Sequence, residues 1–180
     1  MIFIPLKLEG AYLIDLDKKE DERGFFARYY CENEFKSKGL ETNWVQTNTT
    51  LTLKKGTIRG LHFQRDPMAE VKIVRCLRGS IWDVIVDLRK KSPTFGQWLN
   101  LELNESNRSM VYIPKGFAHG FQTLQDNCEL LYMHSEFYSS SCEGGIRFND
   151  PDLNINWPIS SKFFSNRDEN HPRLNQIDFL

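Results

Sequence analysis

The chain has 180 residues, 40% of them hydrophobic, with 23 Lys and Arg against 24 Asp and Glu for a formal net charge of −1. That length suits one domain over residues 1–180, large enough to remove roughly 70% of its unfolded surface from water. Near-neutral charge disfavours a general nucleic-acid or membrane surface, and no apolar run is long enough for a membrane span.

The opening MIFIPLKLEG has neither a basic lead nor an apolar stretch of signal length, which predicts a cytoplasmic protein. Strand-like runs then recur at Tyr12–Leu16 and Phe25–Tyr30, followed by a short predicted helix over Glu32–Lys38 that Gly39 stops. Further strand-like runs are Trp44–Leu53, Val71–Leu77, Ile81–Leu88, Trp98–Leu103, Met110–Ile113 and Glu129–His134. Many are rich in Val, Ile, Thr and aromatic residues, as half-buried strands are. Pro151, Pro158 and Pro172 punctuate an irregular tail in which a second short helix is expected. Many short strands with few helices predict a mainly β protein, an antiparallel sandwich or barrel. Cys31, Cys76, Cys128 and Cys142 are widely spaced without a CxxC, which reads as four reduced thiols rather than a disulfide or zinc site.

Arg78-Gly79 between two of these runs predicts a hairpin. If Leu77 pairs with Ser80, Lys72 lies opposite Ile85 and diagonal to Asp83 and Asp87. Lys72, Val74, Cys76, Ile81, Asp83, Ile85 and Asp87 then share one face, and Ile73, Arg75, Trp82, Val84 and Val86 the other. A Lys and two Asp on a mostly apolar face fit either a face turned to water or a polar pocket inside a barrel.

His62 sits in IRGLHFQ and His119 in IPKGFAHGF. A lone His is more often structural than catalytic. The PxGxxH pattern around His119 resembles the second motif of the cupins, a superfamily of small β-barrels. Its metal-binding members need an HxH and a Glu in the first motif, and here that stretch is His62-Phe63-Gln64. His134 and His171 show no ligand spacing, so no metal site is expected, and acid–base chemistry is the better functional reading of His62.

The chain resembles the dTDP-4-dehydrorhamnose 3,5-epimerase family of the cupin superfamily. The matching stretches are DERGFF at 21–26, QTN at 46–48, RGLHFQ at 59–64, KIVRC at 72–76, DVIVDLR at 83–89, SPTFGQW at 92–98, IPKGFAHGF at 113–121 and NDPDLNINWP at 149–158. They run in order over nearly the whole chain. The resemblance implies a cupin-type jelly-roll barrel and a homodimer formed by exchange of N-terminal strands, here carrying Ile2, Phe3, Ile4 and Leu6. It further implies that no metal or organic cofactor is used and that the substrate is a nucleotide-linked 4-keto-6-deoxy sugar.

By the same resemblance His62 matches the base and Asp168 the carboxylate that orients it. Lys72 matches the cation near the keto oxygen and Tyr132 the general acid. Arg23 and Arg59 match residues that hold the diphosphate, a task suited to guanidinium groups. Gln46, Asn48, His119, Glu143 and Arg167 match further substrate-contacting positions, and Tyr138 is a stacking surface for the base. Arg28 stands where the thymidine-nucleotide members carry a Glu that contacts the nucleotide, and YMHSEFY at 132–138 departs from their pattern around the acid.

Overall fold

Alternation of apolar side chains along short strands builds two sheets that face one another, as seen in a computed structural model that describes residues 1–160 and 163–177. The strands are β1 (Ile2–Pro5), β2 (Tyr12–Asp15), β3 (Lys19–Asp21), β4 (Gly24–Phe26), β5 (Gln46–Thr52), β6 (Ile58–Gln64), β7 (Lys72–Arg78), β8 (Ser80–Asp87), β9 (Trp98–Asn104), β10 (Met110–Ile113), β11 (Phe117–Thr123), β12 (Cys128–His134) and β13 (Glu143–Gly145). Two short helices join them, α1 (Glu32–Lys36) and α2 (Asn166–Glu169). One sheet has the order β1-β2-β10-β7-β12-β5, the other β13-β6-β11-β8-β9, and β3 and β4 form a separate hairpin. Every ladder between these strands is antiparallel. The fold is the expected jelly-roll barrel of the cupin type.

The expected hairpin between the seventh and eighth strands does not form. β7 pairs with β10 and β12 in the six-stranded sheet, while β8 pairs with β11 and β9 in the other. Both strands are largely buried, and each is flanked by two partners within its own sheet. Gly79, at φ +79°, turns the chain from one sheet to the next, where a Cβ would lie 2.8 Å from Cys128 Sγ. Lys72 accordingly does not lie diagonal to Asp83 and Asp87. The division of faces nevertheless holds. Val74, Cys76, Ile81 and Ile85 meet between the sheets, together with Leu130, Phe117 and Phe121.

The outward faces are covered by the ends of the chain. Ile73 joins Phe35 of α1, Ile14 and Met110 outside the six-stranded sheet. Val84 and Val86 join Leu61, Phe63, Leu153 and Ile177 outside the five-stranded sheet, where the Pro-punctuated tail packs. The run Phe25–Tyr30 is only partly strand, because Tyr30 turns in to pack edge-on against Trp44 and tilted against Phe35. β1 pairs with β2 of its own chain, with Phe3 opposite Ile14. The four cysteines carry no disulfide.

Candidate active site

β6 carries the centre of the site. Leu61 and Phe63 point into the cluster outside the five-stranded sheet, which turns His62 inward. A bulge lies beside it: β11 sets His119 opposite His62 and Phe121 opposite Arg59, so three steps along β6 match two along β11. Residues three apart on a regular strand face opposite ways, and the extra residue brings Arg59 and His62 to one cavity. Gly60 makes the bulge feasible, with φ +130° and a position where a Cβ would come within 2.5 Å of Gly120 Cα.

Asp168 reaches His62 from α2. Ser165 caps that helix, its hydroxyl accepting from the Asp168 backbone N–H at 3.0 Å. One Asp168 oxygen sits 2.7 Å from His62 Nε2, and the other accepts from the Gly60 backbone N–H at 3.3 Å. Burial pushes the Asp168 carboxyl up, but the hydrogen bond and charge of His62 outweigh it, so it lies below the ordinary Asp range. The carboxylate is therefore ionised, as an orienting group must be. It holds Nε2, and His62 Nδ1 has no hydrogen-bond partner among the described residues.

Tyr132 and Lys72 stand on the other sheet, on the adjacent strands β12 and β7. Both line the same cavity as His62, a space of about 860 Å³, large enough for a nucleotide sugar. Burial, and secondarily the charge of Asp83, raise the Tyr132 phenol well above its ordinary value. It is thus a held proton donor across the cavity from an imidazole. Between them His119 is buried and bound to Asp83, Nε2 to Oδ2, at 2.7 Å.

Of the other expected residues, Asn48, Arg59, Tyr138, Glu143 and Arg167 line this cavity. Arg59 Nε donates to Thr52 Oγ1 at 3.0 Å. Glu143 on β13 pairs with Arg167 of α2 and accepts from the Tyr138 hydroxyl at 2.9 Å. Burial raises the Glu143 carboxyl, but its hydrogen bonds from Arg167 and Tyr138 bring it below the ordinary range. Gln46 lies outside the lining and accepts from the Tyr138 backbone N–H at 3.2 Å. Arg23 and Arg28 are not brought to the cavity. Arg23 projects from the β3–β4 hairpin and pairs with Asp21 at 2.5 Å, and Arg28 pairs with Glu34 at 2.6 Å.

Three lining or adjacent groups escaped the sequence reading. Glu70 and His134 face the cavity beside Lys72. His134 was legible from its spacing alone, two residues beyond Tyr132 on one strand and hence on the same face. Glu70 precedes its strand and carried no such signal. His171 packs edge-on to His62, ring centroids 5.4 Å apart. Burial and the neighbouring His62 charge lower its basicity. His62, Asp168 and His171 place potential ligand atoms within 4.8 Å of one another, a geometry that could hold a metal ion, although the Asp168 oxygen nearest both rings is already bonded to His62.

A sequence model described as dTDP-4-dehydrorhamnose 3,5-epimerase matches residues 5–176. The chain is 42% identical to the dTDP-4-dehydrorhamnose 3,5-epimerase of Salmonella typhimurium, over 98% of this chain and 97% of that one. Its structure is similar to the crystal structure of the enzyme of that name from Elizabethkingia anophelis, with a TM-score of 0.94, 39% identity and 97% of each chain covered. It is also similar to the Legionella pneumophila dTDP-6-deoxy-D-glucose-3,5-epimerase in complex with dTDP-4-keto-L-rhamnose, with a TM-score of 0.91 and 35% identity over 98% of this chain and 94% of that one.

Proposed function

This chain belongs to the dTDP-4-dehydrorhamnose 3,5-epimerase family, and we propose that it inverts its substrate with His62 as base and Tyr132 as acid. It is an isomerase acting on dTDP-4-dehydro-6-deoxy-D-glucose, which it converts to dTDP-4-dehydro-L-rhamnose by inversion at C3 and C5. The single observation that carries the residue assignment is the placement of the two groups on opposing sheets around one cavity. Inversion requires a proton to leave one face of the carbon and another to arrive at the opposite face, and two facing walls supply both.

The C4 ketone acidifies the protons on C3 and C5. His62, held by Asp168, takes one of them and becomes imidazolium beside the carboxylate. Negative charge moves to the C4 oxygen, where the Lys72 ammonium stabilises the enolate. Tyr132 then protonates the carbon from the other face. His62 then releases its proton to solvent and Tyr132 takes one up, and with both groups reset the same cycle repeats at the second centre. No step uses a metal or organic cofactor.

The deciding experiment incubates the protein with dTDP- and CDP-linked 4-keto-6-deoxyhexoses in D2O containing EDTA. Deuterium at both C3 and C5 of the dTDP sugar is the expected result. Label at one carbon only identifies a single-centre epimerase, binding without label identifies a non-catalytic cupin, and loss of turnover to the chelator makes the enzyme metal-dependent.

Arg59 is the diphosphate ligand within the chain's own cavity. Arg23, in the turn of the exposed β3–β4 hairpin, takes part only if that hairpin, with Phe26 76% accessible on its second strand, reaches the cavity mouth of a second copy. That is the form of homodimer we favour, in place of a bare exchange of first strands, because β1 is already paired with β2. Each of Arg59→Ala and Arg23→Ala is expected to weaken dTDP binding by about 1.5–3 kcal/mol, the range for a hydrogen bond to a charged group. Calorimetry on both variants and sedimentation of the wild type check this. Unchanged dTDP affinity in Arg23→Ala, or a monomer at micromolar concentration, removes the hairpin from the site. The protein is read as cytoplasmic. Among the described residues no helix is long and apolar enough to cross a membrane.

A further inference from the structure

The six-stranded wall of the cavity holds a buried carboxylate that the reaction above leaves without a task. Glu70 Oε1 lies 2.9 Å from Lys72 Nζ, and Oε2 lies 2.7 Å from His134 Nδ1. The Glu70 side chain is 7% exposed and those of Lys72 and His134 are 11% and 12%. His134 stands directly opposite Lys72 in the β12–β7 ladder. Its Nε2 accepts from the Asn48 side-chain amide at 3.3 Å, so one neutral tautomer, with the proton on Nδ1, satisfies Asn48 and Glu70 together. The ring stacks on Tyr132 at 20° with centroids 6.0 Å apart. The backbone next to Glu70 is pinned as well: the Val71 N–H donates to Ser135 Oγ at 2.8 Å and the Ser135 N–H to the Val71 carbonyl at 3.0 Å.

We propose that Glu70 and His134 are positioning residues for Lys72: Glu70 keeps its ammonium charged and fixed at the sugar ketone, and His134 holds the Glu70 carboxylate in place. The inference rests on the reading of Lys72 as the enolate-stabilising cation. A lysine has a flexible four-carbon stem, and a buried ammonium without a counter-charge sheds its proton. Stabilising an enolate needs a positive charge already in place. Glu70 answers both demands. With its second oxygen taken by His134, the carboxylate cannot swing away from Lys72. The titratable groups around Lys72 are Glu70 from the preceding loop, His134 and Tyr132 from β12, and Arg59, His62 and His119 across the cavity. β10 contributes Ile113 beside it.

The test titrates Lys72 without substrate, by competitive acetylation with acetic anhydride across pH and peptide mass spectrometry. In Glu70→Gln, Lys72 is expected to become reactive about one pH unit lower or more, a shift that tracks its loss of charge. In turnover the same variant should lose on the order of tenfold in kcat, with KM within about threefold, and the alkaline limb of its pH profile should move to lower pH. Glu70→Asp should recover part of the rate, and His134→Gln should shift both readouts in the same direction by less. Wild-type labelling of Lys72 in both Glu70→Gln and His134→Gln overturns the proposal. Shifted labelling with wild-type kcat leaves the pairing intact but removes Lys72 from the enolate step, overturning the reading on which the proposal rests.

Discussion

His62→Ala is expected to abolish both wash-in of solvent deuterium and net inversion of the sugar. The imidazole is held by a buried, ionised carboxylate and is itself 33% exposed to the cavity, whereas His119, bound to Asp83, is 6% exposed. A positioned general base contributes about 10²–10⁴ in rate, and here each later event follows from the proton it removes. The loss should therefore appear in kcat, with dTDP affinity close to that of the wild type, since the proposed diphosphate ligand, Arg59, is untouched. Folding should survive, because Asp168 keeps the Gly60 N–H and Ser165 still caps its helix. His62→Asn retains a donor to Asp168 and provides a second variant should the alanine protein misfold. Mass spectrometry of substrate recovered from D2O reads the result. Label entering the sugar at the wild-type rate in both variants would remove His62 from the mechanism.

Tyr132→Phe should differ in kind rather than in degree. It keeps the ring that packs edge-on to His119 and stacks with His134, and loses only the proton donor. Enolate formation does not need that donor, so His62 still removes the proton and Lys72 still steadies the oxygen. Reprotonation is then left to the His62 wall, which restores the original configuration with solvent-derived hydrogen. The expected outcome is retained exchange at the abstracted position, together with a fall of about 10² or more in net inversion. Burial raises the phenol, so it stays protonated at neutral pH and, as a weaker acid, yields its proton only to a strong base such as the enolate carbon. Normal epimerisation by Tyr132→Phe would show that the second proton comes from elsewhere, with His119 or water as the first groups to examine.

The two variants also separate the two walls of the barrel. One disables the five-stranded side and the other the six-stranded side. A double variant should behave as His62→Ala alone, since the acid has nothing to protonate once the base is gone.

The amino-acid sequence by itself determined much of this protein. Strand-like runs such as Ile81–Leu88 and Met110–Ile113 became strands within a residue, because side-chain alternation is a local property. Gly39 marked the end of the first helix for a similar reason, at φ +67° just past the last turn. The motifs around His62 and His119 pointed to a barrel and to acid–base chemistry before any coordinates. What stayed hidden was strand pairing. The sequence suggested a hairpin across Arg78-Gly79, yet the two strands belong to different sheets, because a short link, Gly79 alone in the structure, limits distance without choosing partners. Only the register of β6 against β11 decided that Arg59 and His62, three residues apart, share a face. Only the return of the tail brought Asp168 onto His62, 106 residues away in sequence. Glu70 and His134 meet across 64 residues, and neither charge pattern nor period marked them as partners. Such pairings depend on where non-local backbone hydrogen bonds form, and that is settled by burial over the whole barrel rather than by neighbours along the chain.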